Sequence, residues 1–131
     1  AMAFVTGNHT NVLAPGELLR SIWLPASSWK KTYAFRRFSL VHQGRSAVLL
    51  IGTRCPEKGT FLLTITAATI TPVQLRFESM PGTDELKQAI DALPFGIYFD
   101  DPNGSPPHRR HLTYYFAEQI RAELSADSRR N

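Results

Sequence analysis

The chain has 131 residues, of which 43% are hydrophobic and 20% charged, a composition that fits one domain able to bury a core without disulfide or metal staples. Its single cysteine, Cys55, excludes an internal disulfide and a thiolate metal cluster. The net charge of +4 and pI of about 9.6 are mildly basic. The cations come as the scattered pairs Lys30-Lys31, Arg36-Arg37, Arg109-Arg110 and Arg129-Arg130, not as the stripe that a nucleic-acid reader concentrates on one face, so nucleic acid is not expected as a partner. Apolar runs such as Ala47-Val48-Leu49-Leu50-Ile51 are far too short to span a bilayer. The opening residues lack the basic and long apolar regions of a signal peptide. The expected setting is cytoplasmic, with no membrane partner.

Residues 1–15 are polar and turn-rich around Thr6-Gly7-Asn8-His9-Thr10-Asn11 and read as a linker from something upstream. Pro15-Gly16 is a turn, and Leu18–Leu24 reads as a strand stopped by Pro25. Thr32–Phe38 alternates as a strand, with Tyr33, Phe35 and Arg37 on one face and Ala34, Arg36 and Phe38 on the other. After the polar interruption Ser39–Arg45, Ser46–Thr53 is a run of small and β-branched apolar residues, as in a buried central strand. Pro56-Glu57-Lys58-Gly59 is a hairpin-like turn into a strand over Thr60–Thr69. Ile70–Phe77 continues extended past Pro72, which marks a kink or an edge.

Helices follow. Thr83 can N-cap one in which Leu86, Ala89, Ile90 and Leu93 share a face and which Pro94 ends. Phe95–Phe99 is an apolar connector, and Asp100–Gly104 a loop. Ser105 before Pro106 opens the last helix, where Leu112, Phe116, Ile120 and Leu124 form a stripe, flanked by Tyr115, Gln119 and Glu123. Residues 127–131 read as a disordered tail. Strands first and helices after them predict an α+β fold, an antiparallel sheet of three to four strands with helices packed on one face, over residues 16–126.

Chemistry-bearing motifs are sparse: there is no P-loop, dinucleotide fingerprint or nucleophile elbow. His108 and His111 are three apart on the last helix and could share a metal, but a third ligand is missing and the neighbouring arginines oppose a cation. Cys55 with a histidine could form a nucleophilic pair, but closing an apolar strand before Pro56 it reads as a small packed thiol. Tyr33, Phe35 and Phe38 among Arg36 and Arg37 could stack a flavin, a nucleotide or RNA; the alternative is core packing with the arginines reaching solvent.

Three stretches, covering nearly the whole chain in order, resemble one family. Leu13-Ala14-Pro15-Gly16-Glu17-Leu18-Leu19-Arg20-Ser21-Ile22-Trp23-Leu24-Pro25 is similar to the join between the FAD-binding and C-terminal domains in the FAD-binding (medium) subunit of molybdenum hydroxylases, the xanthine dehydrogenase and CO dehydrogenase flavoprotein family. Tyr33–Gly52 resembles that family's aromatic and basic segment, loop and apolar strand. Asp101-Pro102-Asn103-Gly104-Ser105-Pro106-Pro107-His108-Arg109-Arg110-His111-Leu112 looks like the start of its last helix and is the most specific match.

The resemblance implies the α+β CO dehydrogenase flavoprotein C-terminal domain. It implies an oxidoreductase in which electrons pass from molybdopterin through 2Fe-2S clusters to FAD. The implied partners are an upstream FAD-binding domain, a molybdopterin-binding large subunit and a 2Fe-2S small subunit. The main grip on FAD lies upstream, so the chain alone is expected to be inactive and to bind FAD weakly. Arg36 or Arg37 corresponds to a basic residue near the flavin edge, and the loop Leu40–Arg45, with His42, Gln43 and Arg45, to one that approaches the isoalloxazine. Two departures stand out: Gly44 or Arg45 occupies the place of an acidic residue, and His108 that of a tyrosine. Two other classes of function compete: a stand-alone nucleotide- or RNA-binding module built on Thr32–Phe38, and a small independent enzyme using His42, His108, His111 or Cys55.

Overall fold

The computed structural model describes residues 3–127, the side chain of Asp127 excepted. The fold is α+β: a two-stranded and a four-stranded antiparallel sheet, followed by two helices. In chain order the strands are β1 (Val5–Gly7), β2 (Thr10–Asn11), β3 (Thr32–Ser39), β4 (Ser46–Arg54), β5 (Phe61–Thr66) and β6 (Val73–Phe77); the helices are α1 (Thr83–Asp91) and α2 (Pro106–Asp127). The large sheet is a meander in the order β3-β4-β5-β6. Short connections make this the simplest way to pair successive strands. At the turn before β5, Gly59 adopts a φ of +73° and donates its N–H to Cys55 O at 2.8 Å, a conformation open to glycine without steric cost.

One face of the meander is dry. Val48, Leu50, Phe61, Leu63 and Ile65 are closed against Leu86 and Ile90 of α1 and Ala117, Ile120 and Leu124 of α2. The helix comes close to β4 because β4 carries glycine there. A methyl group on Gly52 would overlap Ile120 Cγ2 and stand 3.3 Å from both Leu124 Cδ1 and Phe61 Cε2. The fully closed positions of α2 are Arg109, Thr113, Ala117, Ile120 and Leu124, while Leu112 and Phe116 of the expected stripe are only partly covered. At the closest approach a glycine of β4 faces the large side chains Ile120 and Leu124 of α2, so the missing Cβ on the strand is what lets the helix pack.

Several boundaries differ from the sequence reading. Leu18–Leu24, expected to be a strand, forms no regular element and has no sheet partner. Residues 1–15, read as a linker, contain the β1–β2 hairpin, and Val12 N donates to Phe4 O at 3.1 Å beyond it. Gly82 takes the N-cap position of α1, and Thr83 is its first helical residue, with Oγ1 donating to Glu118 Oε1 at 3.2 Å. The connector Phe95–Phe99 is tied to the end of β5: Ile70 N donates to Ile97 O and Phe99 N to Ala68 O, both at 2.9 Å. Of the expected tail, Asp127 still belongs to α2, and residues 128–131 lie outside the described residues, as do Ala1 and Met2. Among the described residues no helix is long and apolar enough to cross a membrane.

Candidate functional site

The face of the large sheet turned away from the helices is open. Tyr33 is 72% exposed and Phe35 56%. The register sets Tyr33 opposite Thr53, Phe35 opposite Ile51 and Arg37 opposite Leu49; β5 and β6 add Leu62, Thr64, Gln74 and Arg76. The alternation of β3 is therefore as expected, but Tyr33 and Phe35 do not pack into the core. The core-packing alternative holds only for the Ala34 side of the strand.

The expected site residues separate according to the face they occupy. Arg36 points to the helix side. Its Nε donates to Gln119 Oε1 at 2.9 Å, and Nη2 pairs with Glu123 Oε2 at 2.6 Å, fastening β3 to α2. Arg37, one residue on, emerges on the open face and closes the β3–β4 turn. Its Nε donates to Ser46 Oγ and its Nη2 to Gly44 O, both at 2.7 Å. Arg45 reaches the small hairpin, with Nη2 donating to Asn8 Oδ1 at 2.6 Å. His42 and Gln43 stand exposed at the tip. Arg37, His42, Gln43 and Arg45 thus lie at one end of the sheet, while Arg36 belongs to the sheet–helix joint.

The ladder skips one residue at that end: Phe38 pairs with Val48 and Ser39 with Ser46, which leaves Ala47 unmatched. Its freed carbonyl is taken by Arg109, the largest fully buried side chain. Arg109 Nη1 also donates to Ala67 O at 2.7 Å, Nε to Gly104 O at 2.8 Å, and Nη2 pairs with Asp101. Ala67 is held at a φ of +61°, a left-handed conformation that costs a non-glycine residue about 1–2 kcal/mol, and Arg109 pins it there. Burial works to raise the Asp101 carboxyl, but hydrogen bonds from Asn103 and the Arg109 charge outweigh it and hold the group below its ordinary value. Asp101, Gly104 and Arg109 all belong to the most specific motif of the sequence, whose residues lock the last helix to the β3–β4 end of the sheet.

A second motif also has a local reason. In Leu13–Glu17, Ala14 O accepts from Glu17 N at 3.0 Å while Glu17 Oε2 accepts from Ala14 N at 2.7 Å, and Gly16 takes a φ of +87°. This is a proline–glycine turn closed from both sides by Glu17. It launches an arm that lies bare, with Leu18 at 77%, Ile22 at 72%, Trp23 at 90% and Trp29 at 83% exposure.

The other titratable groups are structural or solitary. Asp91 on α1 joins Lys87 at 2.8 Å, Arg110 at 2.7 Å and the Tyr114 hydroxyl, linking the two helices. Chiefly the hydrogen bond from Lys87, and then that from Tyr114, lowers its carboxyl to about 2. His108 and His111 are exposed, and His108 makes an edge contact with Phe38. Among the described residues no group of three or more His, Cys, Asp or Glu is placed to hold a metal ion. No protein-family model matches the chain, and no curated protein or solved structure is significantly similar to it.

Proposed function

We propose that the chain is the C-terminal domain of the FAD-binding subunit of a molybdenum hydroxylase, with the CO dehydrogenase flavoprotein C-terminal fold, acting in the cytoplasm. The observation that carries this reading is the bare arm Leu18–Trp29. Beyond its Ala14–Glu17 turn, the stretch that resembles the join to an FAD-binding domain belongs to no regular element, pairs with no strand and is rich in exposed leucine, isoleucine and tryptophan. Contiguous apolar surface of this kind marks an interaction site, and an upstream FAD-binding domain is the partner that the motif names.

On this reading the domain supports a flavin-mediated electron transfer and makes or breaks no bond itself. FAD, when bound, would supply the redox chemistry. The residues here suit the rim of the flavin better than its enclosure. His42, Gln43 and Arg45 stand on an exposed turn and can offer hydrogen bonds to the ring edge. Arg37 fixes the shape of that turn through Gly44 and Ser46, so its part is positioning. Arg36, engaged by Gln119 and Glu123, would brace the strand from behind.

Isolation of the native assembly through a tag on this chain, with identification of the associated polypeptides, tests the reading. It expects FAD-binding sequence together with a molybdopterin-binding large subunit and a 2Fe-2S small subunit. A chain recovered alone contradicts it.

A further inference from the structure

The end of the sheet opposite the Leu40–Arg45 turn gathers positive charge that the fold does not use. A cleft of about 310 Å³ opens there, lined among others by Lys31, Thr53, Cys55, Lys58, Thr60 and Arg76. Three cations face it, and Glu78 is the one carboxylate on its wall. Among the described residues neither Lys31 nor Lys58 pairs with a carboxylate, and Arg76 donates only to Gln74 Oε1, at 3.1 Å. Like charges brought together repel one another, and an anion among them relieves that repulsion. Lysines act on phosphate as point charges, arginine adds a directional fork, and the Thr53 and Thr60 hydroxyls can donate as well.

A flat ring adjoins this cleft. Tyr33 is paired directly with Thr53, a wall residue, and stands 72% exposed on the open face. Side chains directly opposed across antiparallel strands start about 5 Å apart. An aromatic platform beside a cationic cleft suits a ligand with a planar ring joined to phosphate. We propose that this end of the sheet binds a nucleotide, its phosphates in the Lys31–Lys58–Arg76 cleft and its base against Tyr33. The site is separate from the Leu40–Arg45 turn and does not depend on the flavin reading.

The test is calorimetric titration of the chain with ADP and, separately, with inorganic pyrophosphate. ADP is expected to bind saturably and more tightly than pyrophosphate. Lys58→Ala and Arg76→Ala remove exposed side chains, so both variants should fold, as far-ultraviolet circular dichroism will verify. Each is expected to weaken ADP by about tenfold, the cost of one charge-assisted hydrogen bond. Tyr33→Ala is expected to weaken ADP and leave pyrophosphate unchanged. Absence of saturable ADP binding overturns the proposal, as does ADP binding that is indifferent to Lys58→Ala and Arg76→Ala. Equal affinity for ADP and pyrophosphate, or ADP binding unaffected by Tyr33→Ala, overturns the nucleotide assignment.

Discussion

Arg109 of α2 and Asp101 of the loop before it form an ion pair in which the arginine side chain is 1% exposed and the aspartate 13%. The same guanidinium holds the carbonyls of Ala47, Ala67 and Gly104, so it ties the skipped position of β4, the left-handed residue after β5 and the loop into one joint. Removing one partner of a buried pair leaves the other charge and the freed acceptors without compensation, at a cost of about 3–5 kcal/mol. Arg109→Met is therefore expected to lose about that much stability in urea unfolding. A loss below about 1 kcal/mol, typical of an exposed pair, would mean that the joint is not closed to water.

The close approach of β4 and α2 gives a second expectation. Because a methyl group at Gly52 collides with Ile120 between Leu124 and Phe61, Gly52→Ala should destabilise the fold by about 1–3 kcal/mol, the usual range for overpacking. Ile120→Ala removes the overlapping Cγ2, so Gly52→Ala combined with Ile120→Ala should cost less than the sum of the two single substitutions. Thermal unfolding of the single and double variants measures both.

These two expectations also show where the sequence was legible. The antiparallel sheet was readable because β4 is a continuous apolar run and β3 and β5 alternate, so their period names the buried face; the strand order was not. Arg109, Gly52, Thr113 and Ala117 were not recognisable as core positions, since a hydrophobic pattern draws attention to Leu112 and Phe116 and neither to small residues nor to an arginine whose partners lie on other elements. Leu18–Leu24 has strand composition but lacks a neighbouring edge, and β-propensity reflects packing on neighbours more than a backbone preference. In the expected site, spacing placed Arg36 and Arg37 on opposite faces of β3. Their separate duties depend on Gln119 and Glu123, more than eighty residues further along the chain.

Tyr98 sets an alkaline limit. Its ring is buried, its hydroxyl makes no well-formed hydrogen bond among the described residues, and burial pushes the phenol up to about 12 from an ordinary value near 10. A group whose folded pKa is raised contributes stability in full below its unfolded pKa and loses it as pH climbs through the folded one. Unfolding free energy should therefore fall between about pH 10 and pH 12, by on the order of 2 kcal/mol. Tyr98→Phe removes a buried hydroxyl that lacks a well-formed hydrogen bond. It should be neutral or stabilising at pH 7 and should flatten the alkaline decline.

The bare arm has a spectroscopic signature. Trp23 and Trp29, the two tryptophans of the chain, are both more than four-fifths exposed. The isolated chain should fluoresce at water-like wavelengths and be readily quenched by iodide. In the native assembly the emission of both should move to the blue and resist iodide, because docking removes the apolar arm from water. Comparison with variants carrying Trp23→Phe and Trp29→Phe assigns each contribution.

The most direct test of the central claim is the visible spectrum of the native assembly purified through this chain, together with its molybdenum and iron content. The flavoprotein account predicts flavin and iron–sulfur absorbance with both metals present. A well-expressed chain whose preparation is colourless and free of molybdenum and iron would contradict it.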